Sequence, residues 1–122
     1  MTSGPMPFLI NDRTRDIVAC RVEVALTRRE RRKGLLGRDG LDRDAAMLIA
    51  PCFSVHTVSM RFPIDVVFVD RDGRAVQIVH ELRPWRIAAC VRGRAVIELA
   101  AGRVKEAGVQ LGDRLRLAPD PW

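Results

Sequence analysis

The chain has 122 residues, 48% of them hydrophobic and 30% charged, with a net charge of +6 at pH 7. This length predicts one domain over residues 1–122 with one hydrophobic core, a loose lead-in at 1–7 and a tail at 118–122. No apolar run approaches the ~18 residues of a membrane span, which excludes a protein that crosses a bilayer by a helix.

The compartment is predicted from the N-terminus and the cysteines. The sequence MTSGPMPFLINDR has neither the basic region nor the long apolar region of a secretory signal, so we expect a cytoplasmic protein. Cys20, Cys52 and Cys90 are too few and too scattered for a disulfide framework, which predicts reduced thiols. Cys20 falls in an alternating apolar pattern and is expected to be buried.

Apolar runs bounded by turn residues predict most of the chain to be β-structure. In chain order, the predicted strands and β-rich runs are residues 8–10, 17–26, 47–49, 54–60, 64–69, 75–82, 95–99 and 114–117. The sequence also predicts a helix from Arg28 to Leu36. Thr27 and Glu30 form a capping box at its start, and Gly37 is placed to end it. One or two helical turns are expected within residues 102–109.

The stretch from Ser54 to Gly73 predicts the centre of the fold. Ile64–Val69 is apolar on both faces apart from Asp65, which is typical of a strand in the interior of a sheet. Asp70–Gly73 has the chemistry of a tight hairpin turn, and the run of 75–82 is expected to return beside it. The predicted fold class is mainly β (α+β): a small twisted antiparallel sheet or partly closed barrel with two or three short helices.

The alternation within these strands predicts which side chains are buried. The expected core residues are Val22, Val24, Leu35, Met47, Ile49, Val67, Phe68, Val69, Ile78, Ile97 and Leu99. The return strand is expected to place Val76, Ile78, His80 and Leu82 on one face. His80 on that face is interpreted as a structural histidine, and Glu98 is expected to point away from Ile97 and Leu99.

Cys52 and His56 are the most suggestive pair for metal binding or nucleophilic catalysis. Zinc usually takes three or four such ligands, and only Cys90 and His80 remain to complete a set. No signature of a cysteine nucleophile surrounds Cys52, and no nucleotide-binding or metalloprotease motif is present. We therefore predict no metal, no cofactor and no catalytic residues.

His56 and Asp65 are candidates for acid–base chemistry if they lie side by side at the end of the sheet. The simpler interpretation is that Asp65 caps a turn or pairs with Arg61, since buried carboxylates need partners in any case. We favour the simpler interpretation. A pocket that joined His56, Asp65 and Glu98 would favour an enzyme.

Arginines on both sides of Trp85 suggest recognition of an anion. Arg61, Arg83 and Arg86 are suited to a phosphate or carboxylate, with Trp85 as a stacking face. The alternative is that they stack on an exposed tryptophan at the rim of the domain. The basic 28–33 segment is interpreted as a solvated helix face in preference to an anion-binding surface.

A family resemblance covers residues 18 to 117. The motifs that carry it are Thr27-x-x-Glu30-Arg31-x-x-Gly34-Leu35-Leu36-x-Arg38, Ala46-Met47-Leu48-Ile49, Pro51-Cys52, His56-Thr57, Met60-x-x-Pro63-Ile64-Asp65-Val66-Val67-Phe68, Asp72-Gly73, Pro84-Trp85-Arg86, Ile97-Glu98-Leu99 with Ala101-Gly102, and Gly108-Val109 through Gly112-Asp113. In these the chain resembles the domain of unknown function 192 family. The resemblance implies a compact, mostly β domain with a few short helices and no established activity.

The function predicted from the sequence is a non-enzymatic module that binds a small anionic ligand or a protein partner. Its candidate binding residues are His56, Arg61, Asp65, Trp85, Arg86 and Glu98. One alternative is an undescribed enzyme that uses His56 and Asp65. The other is a nucleic-acid-associated protein that uses the Arg28 to Lys33 helix. We do not favour nucleic acid, because aromatic residues are only 5% of the chain and no recognition motif is present.

Overall fold

The computed structural model describes residues 6–119. Within this range the strands are β1 (Phe8–Asn11), β2 (Ile17–Ala19), β3 (Arg21–Ala25), β4 (Ala45–Ile49), β5 (Ser54–His56), β6 (Ile64–Val69), β7 (Ala75–Leu82), β8 (Ile87–Ala89), β9 (Ala95–Ala100) and β10 (Leu115–Ala118). The helices of the same range are α1 (Arg28–Lys33) and α2 (Arg103–Glu106). Residues 1–5 of the predicted lead-in and 120–122 of the predicted tail lie outside it.

The described strands form three sheets. A central five-stranded sheet has the order β3-β4-β9-β6-β7, and a three-stranded sheet has the order β10-β1-β2. β5 and β8 pair separately as a two-stranded sheet. This sheet is called the ribbon below, and the name includes the flanking residues 53, 57–58, 85–86 and 90–91. Among the described pairs only β3 with β4 is parallel. The mainly β prediction is confirmed, and since the sheets do not close, the partly closed barrel is not.

Both faces of the central sheet are buried. On one face, the α2-side core packs beneath the three-stranded sheet and α2; its residues are Leu9, Val18, Ala19, Val22, Ala46, Val67, Val69, Ala75, Ile97, Leu99, Val104, Val109 and Leu115. On the other face, the ribbon-side core consists of Ala25, Leu35, Met47, Ile49, Val55, Met60, Ile64, Val66, Phe68, Cys90 and Val96. Among the predicted core residues, Val24 and Ile78 are only partly buried and the others are buried.

The central hairpin forms where the sequence predicts it. β6 is buried at all six positions and lies between β9 and β7. In the turn, the Asp70 carboxylate accepts hydrogen bonds from the backbone N–H of Asp72 and of Arg74. Gly73 has φ +81°, and a Cβ there would lie 2.7 Å from the carbonyl oxygen of Leu115. Glycine is therefore required at this position.

The predicted single apolar face of β7 is wrong. The register against β6 shifts twice, so Val76 packs with the ribbon-side core and Ile78 with the α2-side core. Such bulges reverse the alternation, because each adds one residue to one strand only. His80 is consequently exposed, and the expectation that it is a structural histidine on an apolar face does not hold.

The predicted strand of residues 17–26 is divided at Cys20. The backbone N–H groups of Cys20 and Arg21 both donate to the carbonyl oxygen of Asp44, and the chain passes there from the three-stranded to the central sheet. The change of sheet turns the Cys20 side chain outwards. Cys20 is exposed, which corrects the prediction of a buried thiol.

The predicted helix forms but ends three residues early. The capping box of Thr27 and Glu30 is present, and the helix stops at Lys33 because Gly34 takes φ +46°. No residue of α1 is buried, whereas Leu35 just beyond it is buried in the ribbon-side core. Leaving the helix at Gly34 allows the leucine to reach that core.

Within the part of the chain that the structure describes, neither helix has the length and apolar character needed to cross a bilayer.

Candidate functional site

The most unusual polar group in the described structure is the carboxyl group of Glu98. It lies in β9, where its cross-strand neighbours are Met47 on β4 and Val66 on β6. Only 4% of Glu98 is exposed. Its side chain points into the ribbon-side face of the central sheet, the face opposite to that of Ile97 and Leu99.

No residue between 6 and 119 donates a hydrogen bond to Glu98 Oε1, which is buried. Burial raises the pKa of the Glu98 carboxyl from an ordinary value of 4.5 to about 7, and the positive charge of Arg38 opposes this rise only in part. Arg38 does not reach Glu98 because both arms of its guanidinium donate to the Glu23 carboxylate, at 2.9 and 2.6 Å. Most buried polar groups have partners, so an unpartnered carboxyl group calls for a functional explanation.

Glu98 lines a cavity of about 150 Å³. The cavity lies between the end of α1, the residues that follow it and the edge of β5. The apolar part of its lining includes Leu35, Leu36, Ile49 and Met60. This cavity is called the Glu98 cavity below.

Cys52, Ser54 and His56 form the β5 wall of the Glu98 cavity. The Cys52 thiol donates a hydrogen bond to the carbonyl oxygen of Ser54 at 3.0 Å. Burial raises the pKa of the Cys52 thiol, and the negative charge of Glu98 adds to this rise. At neutral pH the group is therefore a thiol, which is a poor nucleophile compared with a thiolate.

Arg31, Arg32 and Lys33 line the Glu98 cavity from the α1 side. They form the last turn of α1, and this turn borders the cavity. The site thus combines a buried carboxyl group, apolar lining residues and three cations, two of which, Arg32 and Lys33, are exposed.

Asp65 lies on the opposite face of the central sheet. Its Oδ1 accepts a hydrogen bond from the backbone N–H of Glu81 at 2.8 Å, and its Oδ2 accepts one from that of Val104 at 2.9 Å. Asp65 thus holds the first turn of α2 and a bulge of β7, in agreement with its interpretation as a capping residue. It shares neither a face nor a cavity with His56 and Glu98, so the arrangement that would favour an enzyme does not form.

The remaining candidates also lie outside the Glu98 cavity. Arg61 pairs with Asp39 at 2.6 Å, not with Asp65. Trp85 and Arg86 are exposed on the turn that precedes β8. Of the six residues predicted as one binding set, His56 and Glu98 are therefore brought together and the other four are not.

The sequence did not predict that the end of α1 and Glu98 line the same cavity. The signal for Glu98 was present, since a carboxylate interrupts the apolar run AVIELA. The cations of α1 were noted separately. About 65 residues separate the two segments in sequence, and only the pairing of β9 with β4 brings them to one cavity.

Among residues 6–119, no cluster of three or more histidine, cysteine, aspartate or glutamate side chains has a geometry that could hold a metal ion. The absence of a metal and of a cofactor stays a prediction.

Comparison with known families decides the classification. The profile of the domain of unknown function 192 family, described as an uncharacterized ACR, matches residues 9–117. The chain belongs to this family. The resemblance drawn from the motifs is thereby confirmed. No curated protein matches the chain.

Two solved structures are similar to this family member. A protein of unknown function from Novosphingobium aromaticivorans DSM 12444 is 24% identical with a TM-score of 0.80, over 89% of this chain and 83% of that one. A candidate transcription regulator from Sinorhizobium meliloti 1021 is 26% identical with a TM-score of 0.76, over 98% of this chain and 100% of that one. The first similarity establishes the fold alone.

Proposed function

We propose that this protein is a non-enzymatic binding module that holds a small anionic ligand in the Glu98 cavity. The observation that carries the proposal is the Glu98 carboxyl group, whose Oε1 is buried and without a hydrogen-bond partner among the described residues. A bound ligand would supply that partner. The cations of α1 at the same cavity would attract a negative charge.

The size of the cavity limits the ligand. At about 150 Å³ the cavity is smaller than the roughly 300–1,000 Å³ typical of sites for drug-sized molecules. A ligand of a few heavy atoms is expected, with an anionic group towards Arg32 and Lys33. Its apolar part would contact Leu35 and Met60.

The protonation state of Glu98 makes anion binding compatible with a carboxyl group. With a pKa of about 7, Glu98 is largely protonated at pH 6 and can donate a hydrogen bond to the anion. Above pH 7 it becomes a carboxylate and repels the same ligand. Affinity for an anion should therefore fall as the pH rises through 7.

Two observations favour binding over catalysis. The Cys52 thiol donates to a backbone carbonyl and has a raised pKa, so it lacks the activation that a nucleophile requires. Asp65 accepts hydrogen bonds from the backbone N–H groups of Glu81 and Val104, which argues against the alternative of an acid–base pair with His56.

Nucleic-acid binding is the second candidate, because one structural relative is named as a candidate transcription regulator and α1 is an exposed basic helix. A nucleic-acid surface of useful size would require a continuous basic face that joins α1 to further arginines such as Arg114 and Arg116. α1 lies on the ribbon side of the central sheet, whereas β10, which contains Arg116, belongs to the three-stranded sheet of the other side. Arg116 also pairs with Asp12 at 2.6 Å. We therefore rank this candidate below the small ligand.

Titration with acetate, and separately with inorganic phosphate, tests the proposal. Backbone amide NMR signals of Gly34, Ser54 and His56 should shift in a saturable manner at pH 6, because these residues line the cavity. At pH 8 the same titrations should give weaker binding. Glu98→Gln should remove most of this pH dependence, since glutamine does not titrate.

A matched pair of substitutions on α1 provides the control. Arg32→Gln, at the cavity, should weaken binding about tenfold or more, because one charge-assisted hydrogen bond contributes roughly 1.5–3 kcal/mol. Arg29→Gln lies on the same helix outside the cavity and should leave binding unchanged. Equal effects of the two, or no saturable shift at pH 6 with either anion, would reject the site.

The cytoplasmic location is part of the same proposal. It agrees with the three free cysteines, Cys20, Cys52 and Cys90, none of which is disulfide-bonded within the described range.

A further inference from the structure

The ribbon exposes several large apolar side chains to solvent. The exposed fractions are 57% for Phe53, 64% for Trp85, 75% for Ile87 and 86% for Val91. Scattered apolar residues are normal on protein surfaces, whereas a contiguous group indicates an interaction surface. The register of the ribbon decides whether these four are contiguous.

The two-residue spacing of Trp85, Ile87 and Val91 places these three on one face of the ribbon, and Phe53, which lies opposite Cys90 at the end of the ribbon, borders them to complete the strip. The Cys90 N–H donates to the carbonyl oxygen of Phe53, Ile87 is paired with His56, and the Trp85 N–H donates to the carbonyl oxygen of Thr57. From residue 85 to residue 91 the strip is roughly 20 Å long. Val55 and Ala88 of the same ribbon pack inwards on the ribbon-side core, so the other face of the ribbon is turned to solvent.

The exposure of Trp85 is built into the fold. The buried Thr57 hydroxyl donates to the carbonyl oxygen of Arg83 at 2.6 Å and accepts from the N–H of Arg86 at 2.9 Å. Trp85 between them has φ +65°, a conformation that is costly for a bulky residue. Strain of this kind persists where the surroundings impose it and is concentrated at functional sites.

The segments that build this strip carry positive charge and no negative charge. Residues 51–63 and 82–97 contain no aspartate or glutamate. Residues 82–97 contribute Arg83, Arg86, Arg92 and Arg94, all exposed. A partner that covers this strip must therefore offer apolar contact together with negative charge.

The shape of the strip favours a bilayer over a protein or nucleic acid. None of its four apolar side chains lines the Glu98 cavity or either of two cavities beside β3. Anchor side chains of a protein partner bury themselves in pockets, and single-stranded nucleic acid stacks on aromatic faces, which Ile87 and Val91 do not have. Protruding apolar tips, an interfacial tryptophan and flanking arginines suit a surface of anionic lipids.

We infer that the Phe53–Trp85–Ile87–Val91 strip is a peripheral membrane-binding surface for anionic lipid headgroups. The side chains of the strip enter the headgroup layer while the surrounding arginines pair with phosphates. This inference is independent of any ligand in the Glu98 cavity.

Fluorescence of Trp85 with lipid vesicles tests the inference. Trp122→Phe leaves Trp85 as the sole tryptophan of the chain. Vesicles of phosphatidylcholine with added phosphatidylglycerol should sediment the protein and shift the Trp85 emission to shorter wavelength. Pure phosphatidylcholine should do so much less, and added salt should weaken the binding to anionic vesicles.

Variants in the Trp122→Phe background locate the surface. Ile87→Ser and Val91→Ser should each lower the vesicle partition coefficient roughly tenfold, because each removes one buried aliphatic group. Arg92→Gln should lower it about fivefold on anionic vesicles only. Leu111→Ser is the control, because Leu111 is 65% exposed but precedes β10 on the other side of the central sheet. The vesicle partition coefficient of this variant should equal that of the Trp122→Phe parent.

Three outcomes overturn the inference. The first is no sedimentation with anionic vesicles at low salt. The second is an equal loss of binding in Leu111→Ser and Ile87→Ser. The third is binding of polyglutamate or single-stranded DNA through Ile87 and Val91 without binding to vesicles, which would assign the strip to a polyanion free of lipid.

Discussion

Three buried carboxyl groups in the described structure have three different environments. Asp65 accepts two backbone hydrogen bonds, and Asp113 accepts from Asn11, Arg13 and the Gln110 N–H. Glu98 Oε1 accepts none from residues 6–119. The hydrogen bond from Arg13, with those from Gln110 and Asn11, lowers the pKa of Asp113 to about 2, whereas burial raises that of Glu98 to about 7. Hydrogen bonding to the charged form, more than burial itself, separates a structural carboxylate from a candidate ligand-binding one.

Replacing Asp65 with asparagine should destabilise the fold. Asparagine keeps one acceptor oxygen and puts an amide where the other oxygen accepts from the Val104 or Glu81 N–H. The loss of one charge-assisted bond at a fully buried position should lower the free energy of unfolding by roughly 1.5–3 kcal/mol. Urea denaturation measures this value. Asp72→Asn, at an exposed position of the β6–β7 turn, serves as the control and should change stability by less than about 0.5 kcal/mol.

The sequence predicted the role of Asp65 better than that of Glu98. A lone carboxylate in a strand that is apolar on both faces must be buried and partnered, and this reasoning holds for Asp65. Glu98 alternates with Ile97 and Leu99, which predicts a residue on the other face of β9 but does not tell whether that face is covered. The ribbon and the residues after α1 cover it, and they belong to segments distant in sequence.

At the scale of elements, the two strands of the central hairpin were predicted to the residue. β6 and β7 begin and end where the sequence places them, because a proline precedes the hairpin and an Asp-Gly turn joins its strands. The bulges of β7 and the break at Cys20 were not predicted. Both arise from pairing with a partner strand, which a local alternation pattern does not contain.

Phe68 should be the most sensitive core position of the hairpin. It is fully buried in β6 and faces the ribbon-side core. Phe68→Ala should cost about 3–5 kcal/mol of unfolding free energy, enough to unfold a domain of marginal stability. Thermal and urea denaturation would show this directly. Val91→Ala, at an exposed residue, should stay within about 0.5 kcal/mol. A melting temperature for Phe68→Ala within a degree or two of the parent would contradict its placement in the core.

At the scale of the whole molecule, the sequence predicted the fold class but not the division into three sheets. The strand pattern implies a mainly β protein, and the family motifs agree with it. The order β3-β4-β9-β6-β7 depends on long-range pairing, including the parallel pair of β3 with β4. The Glu98 cavity depends on that order, because β9, which contains Glu98, is the middle strand of the central sheet.

The carboxyl groups of the molecule affect the pH dependence of stability in two opposite ways. The carboxyl groups whose pKa is lowered by hydrogen bonds are Glu23, Glu30, Asp70, Glu106 and Asp113. A lowered pKa stabilises the folded state above the unfolded pKa near 4, and this stabilisation is lost as the pH falls. The contribution of Glu98 to the pH dependence of stability has the opposite sign. Its raised pKa means that the folded state binds a proton more tightly than the unfolded chain, so stability falls as the pH rises from about 4.5 to about 7.

The free energy of unfolding should therefore decline between pH 5 and pH 8, and Glu98→Gln should remove the part of that decline due to Glu98. One pKa unit corresponds to about 1.4 kcal/mol, so the shift of Glu98 accounts for roughly 2–3 kcal/mol across this range. Urea denaturation at several pH values would measure it in the parent, in Glu98→Gln and in Glu81→Gln, which replaces an exposed glutamate of β7. The two histidines are present in all three proteins, so any contribution from them cancels in the comparison. Parallel profiles of unfolding free energy against pH for the parent and Glu98→Gln would show that Glu98 is already ionised and partnered in the folded protein. A flattened profile for Glu98→Gln alone would identify Glu98 as the buried acid that titrates near neutral pH.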